Sequence, residues 1–440
     1  MNPGVLRMLL RPAPGSAATV VIPATAFAIV TALVLTVVGG AQSFWAWDDE
    51  YAMIYRVLAA VALVLLVIPL ASLGGAAARL SARRRDERLS TLRLLGATPA
   101  SVGALTVIES TLIAAAGALA GVIGHLLLSP LVGLIPFRGA ALGATAVLLP
   151  PVMIAAIAAG ALLLAAVSAV LGLRRVVVSP LGVRMRAQAS GAHWLRAVLA
   201  VLALAGTFVL AQLVPSLAAT VSIAALLATL FGGALALLNL VGPWALKVAS
   251  RRQAKTARTA VRLLAARTVL DDPKAAWRQV GGIAMASFMA VFAGTGVSVV
   301  NAGSASNLSS ADTQLVIDLR TGLIITLVAS FLMVGASVGI TQASDVLDQR
   351  GLHRSLHHLG MPMETVDAAR RRAIMSPLLV TALGSAVCAG IVVFPLLGIS
   401  LIIAPLSLLT IAAVLASGIL LVWLSTLATR PLLRPAFTTA

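Results

Sequence analysis

The chain has 440 residues, 60% of them hydrophobic and only 10% charged, with a mean hydropathy of +1.04. That leaves too little polar surface to cover a water-soluble globule, so the solvent for most of the chain is lipid. The net charge of +18 does not mark a nucleic-acid binder, because no segment is long and polar enough to form a soluble domain carrying a basic patch.

Apolar runs of at least about 18 residues predict ten membrane helices, over 17–41, 53–78, 105–132, 147–173, 196–214, 217–247, 280–300, 322–343, 373–396 and 400–428. The first run is too long for a signal-peptide core and is followed by Gln42, Trp45 and Trp47, an interfacial pattern, so a retained helix is expected. Cationic loops stay on the cytoplasmic side, and this tests the count. With an inside N-terminus, of the 32 Lys and Arg only Arg56, Arg138 and Arg320 fall in outer loops. The other cations lie at Arg7 and Arg11, in 79–93, 174–196, 247–278 and 350–372, and at Arg430 and Arg434. The expected fold class is therefore all-α, a polytopic membrane protein of about ten helices with both termini cytoplasmic.

Two inside loops resemble each other. Arg88 to Pro99 reads R-L-S-T-L-R-L-L-G-A-T-P and Leu352 to Met363 reads L-H-R-S-L-H-H-L-G-M-P-M, which aligns Leu92, Leu95 and Gly96 with Leu356, Leu359 and Gly360 at an offset of 264 residues. Each segment spaces its leucines by three or four (Leu89, Leu92, Leu95; Leu352, Leu356, Leu359), ends at a glycine and leads into another span, the pattern of a short amphipathic helix on the inner face. Spans one to four and seven to ten then form two repeats of four helices, with spans five and six an inserted pair. Before span seven, Arg251 to Gln279 is the longest basic segment. Its Val261, Leu264 and Val269 alternate with cations, which suits a helix lying in the anionic inner surface.

Few residues suggest chemistry. Glu109 is the one carboxylate near the start of a span, where an ionisable group is costly and hence a functional candidate, set against pairing with a nearby arginine at the membrane edge. His353, His357 and His358 lack a carboxylate or thiolate at ligand spacing, so no metal site is expected. Gly117 and Gly121 form G-x-x-x-G in span three, which permits close helix contact but also recurs by chance. Asp312, Asp318 and Arg320, in the longest outer loop, could meet a cationic ligand, set against the default of a solvated loop; Cys388, the lone cysteine, reads as a packing residue. No paired carboxylates, Ser-His-Asp set or Cys-His cluster points to a catalytic residue, and no G-x-x-x-x-G-K-[ST] phosphate loop occurs, so no bound cofactor is expected in this chain.

The run R-R-R-D-E-R-L-S-T-L-R-L-L-G-A-T-P-A-S-V from Arg83 to Val102, with Glu109 on the following helix, resembles the signature of the FtsX-like permease family of ABC transporters. The second copy departs from it: Gly351 stands where the first has Glu87, and Ala373 stands opposite Glu109. The resemblance implies a ten-span, two-repeat permease of the bacitracin-exporter type. It divides the chain into a first unit over 1–190 with a coupling loop at 81–102, a central pair over 191–249, a cytoplasmic amphipathic segment over 250–279, and a second unit over 280–440 with a coupling loop at 345–372. Glu87, Leu89, Leu92, Leu95, Gly96, Leu352, Leu356, Leu359 and Gly360 are then ATPase-coupling residues. One permease chain would work with two copies of a cytoplasmic ATPase that carries the ATP and Mg.

Outer loops of only about 42–52 and 301–321 leave no large extracytoplasmic domain. This favours a hydrophobic or amphipathic ligand reached from the bilayer: an antibiotic, a peptide or a lipid, exported or extracted. The alternative is mechanotransmission, in which the membrane part controls a sensor or a cell-wall enzyme. The expected location is a bacterial plasma membrane, and the expected activity is transport, with efflux and antibiotic resistance as its cellular form.

Overall fold

Backbone in hydrocarbon has no water to bond, so apolar runs of this length must satisfy their N–H and C=O groups internally, as helices do. The computed structural model describes residues 17–83, 99–178, 219–303, 310–348, 355, 358–394 and 405–428. Its helices are α1 (Ala17–Gln42), α2 (Ala52–Arg83), α3 (Pro99–Gly133), the short α4 (Ala144–Val147), α5 (Pro151–Val178), α6 (Ala219–Lys255), α7 (Ala260–Asp271), α8 (Pro273–Gly303), α9 (Ser310–Asp348), α10 (Met363–Val392) and α11 (Pro405–Ala428). A small antiparallel hairpin, β1 (Pro136–Phe137) with β2 (Ala140–Ala141), pairs Pro136 with Ala141 and Phe137 with Ala140.

Among the described residues seven helices are long and apolar enough to cross a membrane: α1, α2, α3, α5, α8, α9 and α10. They coincide with predicted spans one to four and seven to nine, and the protein is an all-α, multi-pass membrane protein. The predicted run 217–247 falls on α6 from Ala219 onward; the tenth is represented by a shorter apolar stretch, Ala412–Leu427 in α11. The run 196–214 lies outside the described residues.

Two helices extend beyond their apolar runs. α9 begins at Ser310, twelve residues before predicted span eight, so Asp312, Asp318 and Arg320 stand on helix and not in a solvated loop. Asp312 in its first turn faces the positive end of the helix dipole. α10 likewise begins at Met363 and carries Asp367 as helix, buried at 1% exposure and paired with Arg370 and Arg371, each at 3.1 Å. Hydropathy reports where lipid contact ends, whereas a helix continues for as long as its polar residues find partners.

The chain forms two compact units. In the first, α1 to α5 pack together with α9. Their shared core holds Phe27, Leu66, Leu73, Ala114 and Ala165 with Ala329, Met333 and Ile340. α1 lies against α3 at the glycine pair: a Cβ on Gly117 would stand 2.5 Å from the Ala24 carbonyl oxygen, and one on Gly121 would stand 2.6 Å from the Thr31 Cβ. The G-x-x-x-G is thus a true helix contact. Leu119, Ile123, Leu127 and Leu131 on α3 remain exposed, as a lipid-facing stripe must. Farther along α3, fully buried His125 sets its Nδ1 3.2 Å from the Thr36 hydroxyl.

The second unit contains α6, α7, α8 and α10. Phe288 and Ala389 bury against Leu238, Val291, Phe292 and Cys388, which supports the reading of that cysteine as packing. Trp277, near the start of α8, occupies the space that a side chain at position 242 would need, and its Nε1 donates to Asn239 Oδ1 at 2.8 Å.

Candidate functional site

Two helices lead directly into the leucine-rich loops: α2 ends at Arg83 and α9 at Asp348. They lie side by side. Tyr51 meets Asp312, Tyr55 meets Asp318 and Ser72 meets Ser337, at sequence separations of 261, 263 and 265. A separation that stays nearly constant along the contact means parallel helices in register, since antiparallel helices would keep the sum of positions constant instead. Its value matches the 264-residue offset of the repeated loops.

The ends of these helices opposite the arginine-rich loops are tied by a polar clasp. Asp318 is 2% exposed. Its carboxyl group accepts from the Tyr55 hydroxyl at 2.6 Å, the Arg138 backbone N–H at 2.9 Å and Gln314 Nε2 at 2.9 Å. Those donors come from α2, the β-hairpin turn and α9 itself. One turn away, the Tyr51 hydroxyl donates to Asp312 at 3.0 Å. These are the only two tyrosines in the chain, and both are spent on this contact.

Arg138 joins the pieces. It occupies the left-handed region at φ 56°, with Gly139 at φ 78°, as the two-residue hairpin turn requires at both central positions. A non-glycine residue there costs on the order of 1 kcal/mol, offset by its N–H bond to Asp318 and by its side chain. The guanidinium lies 3.8 Å from the centre of the Trp47 ring and 4.8 Å from that of Tyr55, and pairs with Asp49 at 2.7 Å. Around it Phe44, Trp47, Tyr55 and Phe137 pack edge to face and stacked, with centroids 5.0–6.0 Å apart. Arg56 pins the preceding turn through the carbonyls of Trp45 and Trp47 and the Asp48 carboxylate.

The Arg138 hydrogen bond holds the Asp49 carboxyl below the ordinary aspartate value of 3.8. A depressed carboxyl contributes while ionised and loses its contribution as pH falls through the folded pKa. The Asp49–Arg138 contact is therefore expected to persist through neutral and mildly acidic pH and to release only below that ordinary value. The Asp49 carboxyl carbon resonance, assigned with Asp49→Asn, checks this; a midpoint at or above the ordinary aspartate value would refute it.

Most of the sequence-predicted site residues are not among the described ones. Glu87, Leu89, Leu92, Leu95, Gly96, Leu352 and Leu356 lie outside the described residues. Leu359 is 83% exposed, its N–H bonded to the Ser355 carbonyl in a helical turn, and Gly360 follows at φ 82°. Glu109 sits half-buried on α3, two residues into the membrane-crossing stretch that begins at Val107. Leu359, Gly360 and Glu109 are not among the clasp residues. Sequence reasoning names Asp318 but assigns it to a solvated loop, and it does not single out Tyr55 or Arg138; two tyrosines four residues apart at the mouth of one span, with two aspartates six apart near the mouth of another, are the legible signal.

The fold is that of a multi-pass helical membrane protein in which α2 and α9, the helices that precede the two leucine-rich loops, run in register. Residues 60–181 match the family model of the FtsX-like permease C-terminal domain. The match supports membership of the FtsX-like permease family, whose members are membrane components of ABC-type transporters that work with cytoplasmic ATPases and are not catalytic enzymes on their own. The matched segment runs from within α2 through the first arginine-rich loop, α3, the hairpin and α5. No curated protein matches the chain closely enough to count as a relative. The family and the apolar helices fit a bacterial plasma membrane.

Proposed function

We propose that this chain supplies the whole membrane part of an ATP-driven exporter, with two FtsX-like units in one polypeptide and one copy of a cytoplasmic ATPase under each leucine-rich loop. The observation that carries the proposal is the in-register pairing of α2 and α9, the two helices that enter those loops. A push on both loops would reach both helices at equal depth and travel as one movement to the clasp. Glu87 and the leucines of the first loop, with Leu352, Leu356 and Leu359 of the second, are the contact residues. The ATP and Mg belong to the partner.

The ligand in this reading is hydrophobic or amphipathic and enters from the bilayer. The turn between α1 and α2 folds onto the helix ends, and only residues 304–309 separate α8 from α9, too short a connection for a domain that captures soluble cargo. The clasp favours a second reading as well, in which the same movement is passed to a sensor or a cell-wall enzyme outside.

Purification of the full chain from its native membrane tests the proposal. An ATPase is expected to copurify with the parent and to be lost from properly inserted Leu92→Asp/Leu356→Asp. A carboxylate forced into an apolar contact costs roughly 2 kcal/mol or more, about 30-fold in affinity at each loop. Absence of any ATPase from the parent in several mild detergents would overturn it. Ligand-stimulated hydrolysis by the reconstituted complex with no further protein present would separate transport from signalling.

A further inference from the structure

Between α6 and α8 the protein presents a basic, partly apolar surface that the transport reading does not use. Arg251, Arg252 and Lys255 are exposed at the end of α6, Arg258 in the turn, and Arg262 and Arg267 on α7. No acidic residue occurs from 251 to 270, and among the described residues none of these six cations has an ion-pair partner. α7, capped by Thr259, buries Ala265, Ala266 and Val269 against α6 and α10. On its other side Leu263 and Leu264 stand 42% and 37% exposed between Arg262 and Arg267.

The depth of this surface is set by its neighbours. Trp244 is 40% exposed on α6, less than two turns before Arg251, as an interfacial tryptophan is. Trp277 sits on Gly242 where α8 begins its apolar stretch. The chain thus leaves hydrocarbon near Trp244 and returns near Trp277, and α7 lies between these two points. Leucines exposed at headgroup depth among unpaired cations meet apolar acyl chain and anionic phosphate together.

We propose that α7 and the basic end of α6 bind anionic phospholipid headgroups of the inner leaflet, with Leu263 and Leu264 inserted below Arg258, Arg262 and Arg267. A soluble protein partner on this face would have to supply a strongly acidic surface; the leaflet already provides one beside the helix ends. This inference stands apart from the export reading and survives its failure.

The test uses the full chain in nanodiscs of mixed phosphatidylcholine and phosphatidylglycerol, with Cys388→Ala and Leu263→Cys carrying an environment-sensitive fluorophore, and bromine on the acyl chains of one lipid or the other. Quenching at 263 is expected, several-fold stronger from brominated phosphatidylglycerol. Neutralising Arg258→Gln/Arg262→Gln/Arg267→Gln should sharply reduce the preference, because each cation near an anionic surface contributes on the order of fivefold, and Arg251, Arg252 and Lys255 account for what remains. Raised salt should weaken the preference in the unaltered chain, which keeps the test valid if the triple variant misfolds. A label at Leu127→Cys on the lipid-facing stripe should show no preference in any background. No lipid quenching at 263, or equal quenching by both lipids, would overturn the proposal; the first result, with protection on adding the ATPase, would assign the face to that protein instead.

Discussion

Asp318→Ala is expected to part the outer ends of α2 and α9 while leaving the helices themselves intact. The substitution strands three donors, the Tyr55 hydroxyl, the Arg138 N–H and the Gln314 amide, all bonded at 2.6–2.9 Å. Stranded buried donors cost roughly 1–2 kcal/mol each, so the clasp should lose about 3–5 kcal/mol. Tyr55→Phe removes one hydroxyl donor and should lose less, about 1–2 kcal/mol. Spin labels at Ile54 and Ile317, both exposed beside the clasp, read the outcome: a single narrow distance distribution for the parent and an added longer component for Asp318→Ala. Identical distributions would sink the idea that the clasp holds the pair. A cycle of Tyr55→Phe with Asp318→Asn should show a coupling of about 0.5–3 kcal/mol between the two residues.

The second large effect is expected at the α1–α3 contact. Any side chain at Gly121 must displace backbone, since its Cβ would stand 2.7 Å from the Ala28 carbonyl oxygen as well as 2.6 Å from the Thr31 Cβ. Overpacking of this kind costs about 1–3 kcal/mol and occasionally more, so Gly121→Val should lower the thermal midpoint in detergent clearly. Gly160→Ala on α5, where nothing lies within 4 Å, serves as the neutral comparison. Equal midpoints for Gly121→Val and the parent would mean that the two helices do not pack as described.

What the sequence made legible follows from what hydropathy measures. It reports partition into lipid, so Ala52 to Ala77 or Val107 to Gly133 could be placed as spans from their apolar runs alone. It does not report pairing between residues some 260 positions apart. Asp318 was read as solvated loop because no local pattern says that Tyr55 will cover it, and α10 was cut short because Asp367 and its arginines look like water-facing residues until they pair. The glycines at 117 and 121 were visible as a motif, yet only the partner helix distinguishes a contact from a chance spacing. Offset arithmetic came closest to the site: the 264-residue offset of the leucine-rich loops lies within the separations of 261 to 265 residues found across the α2–α9 contact.

The seam between α2 and α9 is chemically one-sided. Tyr51 and Tyr55 supply hydroxyl donors from one edge, and Asp312 and Asp318 supply the carboxyl acceptors from the other. Such complementarity gives the contact a choice of partner: a second copy of the tyrosine edge would bring neither of those aspartates, so the pairing selects α9 over another α2.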